Sequence, residues 1–233
     1  MKRWLLILVL LIQGSSLFAQ TLSVIHKKSL WPDGHGVIEV TDDGIAYKAE
    51  DKDGSRNWRY PDIQYFDRIG RREFVILTYQ DQRWLLGRDR EYHFVVTSGE
   101  LTDATFETIS RRLRKPVTNR VVPDQLPAEY TIAAKHLHTF GGCQGELKLT
   151  SDAIYYVTDR QQDNRQWLLD RDIQSVWSTD RYQLEIYAYD NNRREFSRTR
   201  NYHFDLKEPL VPEVYRQLKL KLYQLQEVHS PLN

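Results

Sequence analysis

The feature that most constrains this chain is a stretch of about a hundred residues that occurs twice. Residues 36–47 read GVIEVTDDGIAY, and residues 145–156 read GELKLTSDAIYY. Trp58 and Trp167 follow the two copies at the same distance, 109 residues apart. A repeat of this length has the size of a domain and is too long for a solenoid unit. The sequence therefore predicts one small module that has been duplicated.

Alternating hydrophobicity within each copy predicts β-strands. Apolar and polar residues alternate with period two at residues 37–41 and 146–149, which indicates strands with one buried and one wet face. Residues 41–44 and 150–153 separate such runs and are expected to form tight hairpin turns. Gly44 is expected to take a positive φ in the first of these turns.

Each copy ends in an amphipathic helix. Thr102 is expected to cap the first helix, which stops before Pro116, and Pro212 suits the first turn of the second helix. The apolar stripe of the second helix consists of Val214, Tyr215, Leu218, Leu222 and Leu225. A small antiparallel sheet cannot bury its inner face alone, so we expect a sandwich or barrel with the helix closing one end.

The two copies share a pattern of glycine, aliphatic and aromatic positions. In the second copy these positions are Gly145, Leu147, Leu149, Ile154, Tyr156, Trp167, Asp172, Ile173, Leu184, Ile186, Tyr202 and Phe204. In the first they are Gly36, Ile38, Val40, Ile45, Tyr47, Trp58, Asp62, Ile63, Phe74, Ile76, Tyr92 and Phe94. The pattern resembles the pleckstrin-homology-like (PH-like) superfold, especially its bacterial PH-like and GRAM-like branch. The resemblance implies a mostly β fold of two tandem PH-like modules, each a sandwich or barrel of about six or seven antiparallel strands with a C-terminal helix.

The N-terminal segment is typical of a secretory signal peptide. Lys2 and Arg3 precede an apolar run at residues 4–12, and Ala19 is a small residue at the expected cleavage point. The run is too short to span a bilayer, and no later segment is apolar enough to do so; an uncleaved N-terminal anchor is the alternative. We expect a signal peptide at residues 1–19, a first PH-like domain at 20–115, a Pro-containing linker at 116–129 and a second PH-like domain at 130–228. The protein is therefore expected to be secreted or periplasmic.

The balance of charge argues against nucleic acid as a partner. The chain has 33 Lys and Arg residues and 32 Asp and Glu residues, and without Lys2 and Arg3 the basic residues number 31. This near-neutral balance gives no electrostatic footprint for nucleic acid. The resemblance implies the binding of phosphoinositides, proteins or peptides rather than catalysis. Because the first hairpin loops carry Asp42, Asp43 and Asp152 where lipid-binding PH domains use Lys and Arg, we expect a protein or peptide partner and no phosphoinositide.

No catalytic motif is present in the sequence. A nucleophile elbow, a Gly-rich phosphate loop and a His-Glu-x-x-His pair are all missing. We therefore expect a binding or scaffold protein with no catalytic or cofactor-binding residues. The alternative is a hydrolase-type enzyme with its site in the cleft between the two modules.

One group of residues could in principle hold a metal ion. His136 and His138 lie on one strand face and Cys143, the only cysteine, follows, so a fourth group would complete a zinc or copper site. At the corresponding places the first copy has His26, Lys28 and Gly34. Because these ligands are not part of the shared module, we expect no metal site.

The candidate partner-binding residues are apolar side chains without a core role. Leu220 and Tyr223 lie off the apolar stripe of the last helix, which indicates a contact either with the first domain or with a partner. Trp84 and Trp177 have no counterparts in the other copy and are further candidates. Trp58 and Trp167, in contrast, are expected to be core anchors.

Overall fold

The two halves of the protein are built from the same series of elements. A computed structural model describes residues 20–29, 31–50, 54–82, 88–115, 117–190 and 199–228. The expected signal peptide and Trp84 lie outside these residues. The first half contains β1 (Gln20–Lys27), β2 (Gly34–Val40), β3 (Gly44–Ala49), β4 (Arg56–Arg59), β5 (Ile63–Gly70), β6 (Glu73–Asp81), β7 (Asp89–Ser98) and α1 (Asp103–Leu113). A short strand, β8 (Val117–Asn119), follows. The second half contains β9 (Tyr130–Leu137), β10 (Gly142–Leu149), β11 (Ala153–Thr158), β12 (Arg165–Leu168), β13 (Ile173–Trp177), β14 (Gln183–Tyr189), β15 (Thr199–Leu206) and α2 (Pro212–Val228).

The strands of the described residues form one continuous sheet. Its order is β13-β14-β15-β9-β10-β11-β12-β8-β5-β6-β7-β1-β2-β3-β4. Each half contributes seven strands that pair antiparallel with their neighbours, and a single strand, β8, joins the halves. This arrangement confirms the expected fold class of two tandem β modules, each with a C-terminal helix.

Each module has its own core, centred on the predicted tryptophan. Trp58 and Trp167 are 1% and 4% exposed. The Trp58 ring lies 4.7 Å from that of Tyr92, and the Trp167 ring lies 4.9 Å from that of Tyr202. Each indole also lies 6.3 Å from the phenylalanine two residues after that tyrosine, Phe94 for Trp58 and Phe204 for Trp167. The prediction that these tryptophans are equivalent core anchors is confirmed.

The helices begin where the sequence predicts. The Thr102 hydroxyl accepts a hydrogen bond from the Thr105 backbone N–H and caps α1, and α2 begins at Pro212. Leu218 and Leu222 of α2 are buried in the second core. Among the described residues, neither helix has the length and hydropathy needed to cross a bilayer.

The prediction for Gly44 is wrong. Gly44 belongs to β3, and the positive-φ glycines of the described residues are Gly99 and Gly141. A Cβ at Gly44 would lie 2.1 Å from the carbonyl oxygen of Trp58. Glycine is therefore required at this position by the close approach of a neighbouring strand and not by the turn.

A buried polar network joins the two modules at β8. The carboxylate of Asp190 accepts hydrogen bonds from Tyr65 of β5 at 2.6 Å, from Thr118 of β8 at 3.0 Å, and from Tyr202 of β15. Burial alone would raise the pKa of Asp190, but these hydroxyls and the Arg165 guanidinium lower it below its ordinary value. The carboxylate is thus held ionised between residues from both modules.

Candidate functional site

The open edge of the second module lies at β13, one of the two outer strands of the sheet. Its counterpart in the first module is β5. Ile63 of β5 and Ile173 of β13 are 110 residues apart, and each strand has a shift of register against its neighbour just after this isoleucine. The two strands are therefore equivalent elements of the duplicated module.

The chain itself covers the outer edge of β5. The strand β8 runs parallel to β5 and pairs Val117 with Phe66 and Asn119 with Arg68. Val117 is buried in the first core. The residue of β13 that corresponds to Phe66 is Val176, which pairs with β14 on one side only. The same edge is thus filled by a strand in one module and not in the other, within the described residues.

Two polar side chains of α2 cover part of the β13 edge. The Lys219 ammonium donates to the carbonyl oxygen of Val176 at 3.2 Å. The Gln226 amide donates to the carbonyl oxygens of Gln174 at 2.7 Å and of Ile173 at 3.5 Å. These side chains satisfy backbone acceptors that a neighbouring strand would otherwise use.

Three of the four residues that the sequence selects for partner binding lie on β13 or on α2, the helix that covers part of its edge. Trp177, Leu220 and Tyr223 are 55%, 46% and 62% exposed, respectively. The Lys219 ammonium lies 4.4 Å from the centre of the Trp177 ring, and Tyr223 follows one helical turn after Lys219. The residues Trp177, Lys219, Leu220, Tyr223 and Gln226 are called the α2–β13 face below. The fourth residue, Trp84, lies outside the described residues.

Leu220 and Tyr223 do not form the interface between the modules. Both side chains are exposed, and the contacts between the modules described above involve β8, Tyr65 and Asp190. Their exposure favours contact with a partner over docking against the first domain.

The cleft between the modules contains acidic and basic side chains that hold one another. It is lined in part by Arg68, Asp103, Asp152, Arg171 and Asp172. Arg68 donates to Asp103 at 2.7 Å, Arg171 donates to Asp172 at 2.6 Å, and Asp152 accepts from the Thr150 hydroxyl. Burial raises the pKa of Asp172, although the neighbouring Arg171 acts to lower it. Among the described residues that line the cleft, these three carboxylates each have a side-chain hydrogen-bond partner.

One group of side chains could hold a metal ion. The structure brings His136, His138 and Cys143 together, as their spacing indicates, and adds Asp163. Asp163 was not selected from the sequence because it lies 20 residues beyond Cys143, in the 3-10 turn Gln161–Asp163. The antiparallel strands β10 and β11 bring the turn that carries Asp163 back to the end of the hairpin that carries Cys143.

Fold and site together define a protein of two tandem β modules, each with a C-terminal helix, in which β13 is an outer strand of the sheet. Among solved structures, the Vps36 N-terminal PH domain is similar at 15% sequence identity and a TM-score of 0.34, over 46% of this chain and 86% of that chain. A structure of the Spt16D Pob3N heterodimer is similar at 9% identity and a TM-score of 0.27, over 73% of this chain and 82% of that chain. No protein-family model and no curated protein matches the chain. Both likenesses are distant, and the fold class rests on the strand order and helices of the chain itself.

Proposed function

We propose that this protein is a non-catalytic binding protein, secreted or periplasmic, whose second module binds an extended peptide segment of a partner protein at the α2–β13 face. The observation that carries the proposal is the contrast between the two equivalent edges. The first module uses its β5 edge to hold a strand, whereas the second module offers the equivalent edge at the surface.

Pairing with an added strand suits the chemistry of this edge. An extended peptide gains affinity from backbone hydrogen bonds and specificity from alternate side chains. The bonds of Lys219 and Gln226 to the β13 carbonyls are single side-chain bonds at an exposed edge. Because a neutral bond contributes only about 0.5–1.5 kcal/mol and one from a charged group about 1.5–3 kcal/mol, a peptide backbone that pairs along the strand can replace them.

The exposed aromatic side chains supply the apolar part of the contact. The Lys219 ammonium lies over the Trp177 ring, and Leu220 and Tyr223 follow within the next turn of α2. Aromatic residues at the centre of a contact commonly carry most of its binding free energy. We infer a peptide with apolar side chains at alternate positions.

The hydrolase alternative has less support. Three carboxylates of the cleft, those of Asp103, Asp172 and Asp152, accept hydrogen bonds from Arg68, Arg171 and Thr150, respectively. A glycosidase or related hydrolase needs an acid and a base that face the substrate.

The location outside the cytoplasm rests on residues 1–19 alone. Lys2, Arg3 and the apolar run at residues 4–12 support cleavage near Ala19. N-terminal sequencing of the native protein is expected to read from Gln20. An intact Met1 in a cytosolic fraction contradicts this part of the proposal.

Peptide binding is tested by selection from a random-peptide display library on immobilised protein. Selected peptides should bind the wild type at least about tenfold more tightly than a variant with Trp177→Ser and Tyr223→Ser, a difference of about 1.4 kcal/mol. Phe140→Ser is the matched control, because Phe140 is 95% exposed in the hairpin after β9 and lies outside the face.

Hydrogen exchange identifies the edge that the peptide uses. Binding should slow exchange of the backbone amides at residues 176–178 and leave those of β4 unchanged. A library that yields no specific peptide, or peptides that bind the double variant as well as the wild type, overturns the proposal.

A further inference from the structure

Four side chains with metal-binding atoms meet at one end of the second module. His136 lies in β9, and His138 follows directly after this strand. Cys143 of β10 pairs directly with His136, so the two side chains are neighbours on the same face of the sheet. Asp163 comes from the 3-10 turn Gln161–Asp163. Three separate segments of the chain therefore supply the group.

The local backbone holds these segments in place. The His138 backbone N–H donates to the carbonyl of Gly141 at 3.0 Å, and Gly141 takes a φ of +84° that closes the hairpin. The Asn164 side chain accepts from the Thr158 N–H at 2.8 Å and anchors the turn that carries Asp163. The four side chains are thus positioned by hydrogen bonds outside their own group.

The distances between the ligand atoms approach those of a tetrahedral zinc site. The Cys143 sulfur lies 3.5 Å from Nε2 of His138, and an Asp163 carboxylate oxygen lies 3.8 Å from the same nitrogen. All four ligand atoms lie within 4.8 Å of one another. Around zinc with bonds of about 2.0–2.3 Å, neighbouring ligand atoms lie roughly 3.3–3.6 Å apart. A contraction of about 1 Å at the widest point closes the group around an ion.

His136 provides a second, independent observation. It is 5% exposed, and its Nδ1 atom is buried without a hydrogen-bond partner among the described residues. Its ring packs 5.1 Å from that of Phe204 and 4.3 Å from that of His138.

The arrangement does not fit a cysteine nucleophile with a histidine base. Such a triad needs the thiol at one imidazole nitrogen and the carboxylate at the other. Here the thiol of Cys143 and the carboxylate of Asp163 both approach Nε2 of His138. Convergence on one point is instead what a shared ion requires.

The first module carries the same framework without the ligands. His26 pairs with Gly34 as His136 pairs with Cys143, and its ring lies 5.1 Å from that of Phe94. Lys28 corresponds to His138, and its ammonium lies 3.4 Å from the position of a Cβ on Gly34. Gly54 stands 109 residues before Asp163. A cation and two glycines thus stand where the second module has three ligands, which shows that the fold does not need these residues.

We propose that His136, His138, Cys143 and Asp163 form a structural zinc site specific to the second module. The set offers two imidazoles, a thiolate and a carboxylate, the donors that zinc accepts in fourfold coordination. The two anionic ligands balance the charge of a divalent ion. The ion fastens the β9–β10 hairpin to the turn after β11. This site contains none of the residues of the α2–β13 face.

Cobalt titration of the metal-free full-length protein tests the site, with Co²⁺ as the spectroscopic probe for zinc. We expect saturation at one equivalent, the intense visible bands of tetrahedral cobalt, and a thiolate-to-cobalt charge-transfer band. Zn²⁺ should displace the cobalt and remove these bands. Because Cys143 is the only cysteine, zinc should also protect the protein from thiol reagents in a simple, single-site manner.

Variants distinguish the site from adventitious binding. Cys143→Ser should abolish the charge-transfer band, and Asp163→Asn should weaken binding by at least the roughly 10–100-fold typical of a lost supporting residue. The matched control is His203→Ala, which removes a half-exposed histidine of the same module. If Cys143→Ser does not fold, Asp163→Asn decides the question, because its side chain is partly exposed. Octahedral spectra, no saturable binding, or wild-type affinity in Asp163→Asn overturns the proposal.

Discussion

At the scale of single residues, the two cores depend on side chains that occupy the same place in both modules. The strands β7 and β15 each contain the sequence Tyr-His-Phe. Trp58 and Trp167 contact the tyrosine and the phenylalanine of this sequence in their own module at nearly identical distances. The intervening histidines lie on the wetter face, where His93 contacts Glu73 at 2.7 Å. Duplication has therefore preserved the packing of the core together with the alternation of the strand.

The burial of Trp167 predicts a large effect of its removal. Trp167→Ala should lower the free energy of unfolding by about 3–5 kcal/mol, because it leaves a cavity at the centre of the second core. Urea unfolding followed by circular dichroism measures this loss. Trp177→Ala is the control and should change the stability by less than about 0.5 kcal/mol, since Trp177 is largely exposed. Equal effects of the two substitutions would contradict the assignment of Trp167 to the core.

Residue patterns predicted the packing better than they predicted buried polar groups. Arg68 belongs to an arginine-rich segment, with Arg71 and Arg72, yet it is 1% exposed. Its guanidinium donates to Asp103 at 2.7 Å and to the Leu101 carbonyl at 2.6 Å. These partners lie more than thirty residues away, at the start of α1. Local composition carries no information about such distant partners.

At the scale of secondary-structure elements, the role of β8 could not be read from the sequence. The prolines at 116, 123 and 127 predict an extended linker, and β-branched Val117 and Thr118 favour a strand. Nothing in this pattern names β5 as the parallel neighbour. Pairing between segments so far apart depends on the open edge of a finished module.

The cover over β13 predicts what happens when it is removed. A variant with Lys219→Ala and Gln226→Ala frees the carbonyls of Ile173, Gln174 and Val176. Uncovered strand edges pair with other chains. We therefore expect a larger weight-average mass than that of the wild type at equal concentration in sedimentation velocity experiments.

A second lysine of the same helix provides the comparison for this variant. Lys221 contacts Glu129 at 3.1 Å and not the β13 edge. Lys221→Ala removes the same charge and should leave the mass unchanged. If both variants sediment like the wild type, the two side chains do not protect the edge.

At the scale of the whole molecule, the seam at β8 makes one body of two modules. Each module has its own core, but Tyr65, Thr118 and Asp190 share one hydrogen-bond network across the seam. On the other side of β8, the Asn119 amide donates to Gln166 of the second module at 2.5 Å. Because these groups are buried, separating the modules would leave polar atoms without partners, and we expect the modules to unfold together.

Asp190→Asn should weaken this coupling, with a definite dependence on pH. The carboxylate is nearly buried beside Arg165, and removing one partner of a buried charge pair costs roughly 3–5 kcal/mol. The pKa of Asp190 is lowered in the folded state from its ordinary value of 3.8. The stabilisation that the ionised Asp190 contributes is therefore fully present above its ordinary pKa and is lost as the pH falls through its folded-state pKa. The free energy of unfolding of the wild type should exceed that of the variant at neutral pH, and this difference should shrink below about pH 4.

Calorimetry of both proteins at several pH values measures this difference and shows whether the modules unfold in one transition or two. We expect one transition for the wild type at neutral pH and two for Asp190→Asn, because the variant keeps both cores and loses the charge between them. Asp62→Asn is the control: it removes an exposed carboxylate 3.4 Å from Arg59, and such surface pairs contribute about 0–1 kcal/mol. A difference between wild type and Asp190→Asn that does not change with pH would mean that Asp190 is not ionised in the folded protein. Two separate transitions in the wild type itself would mean that the seam does not couple the modules.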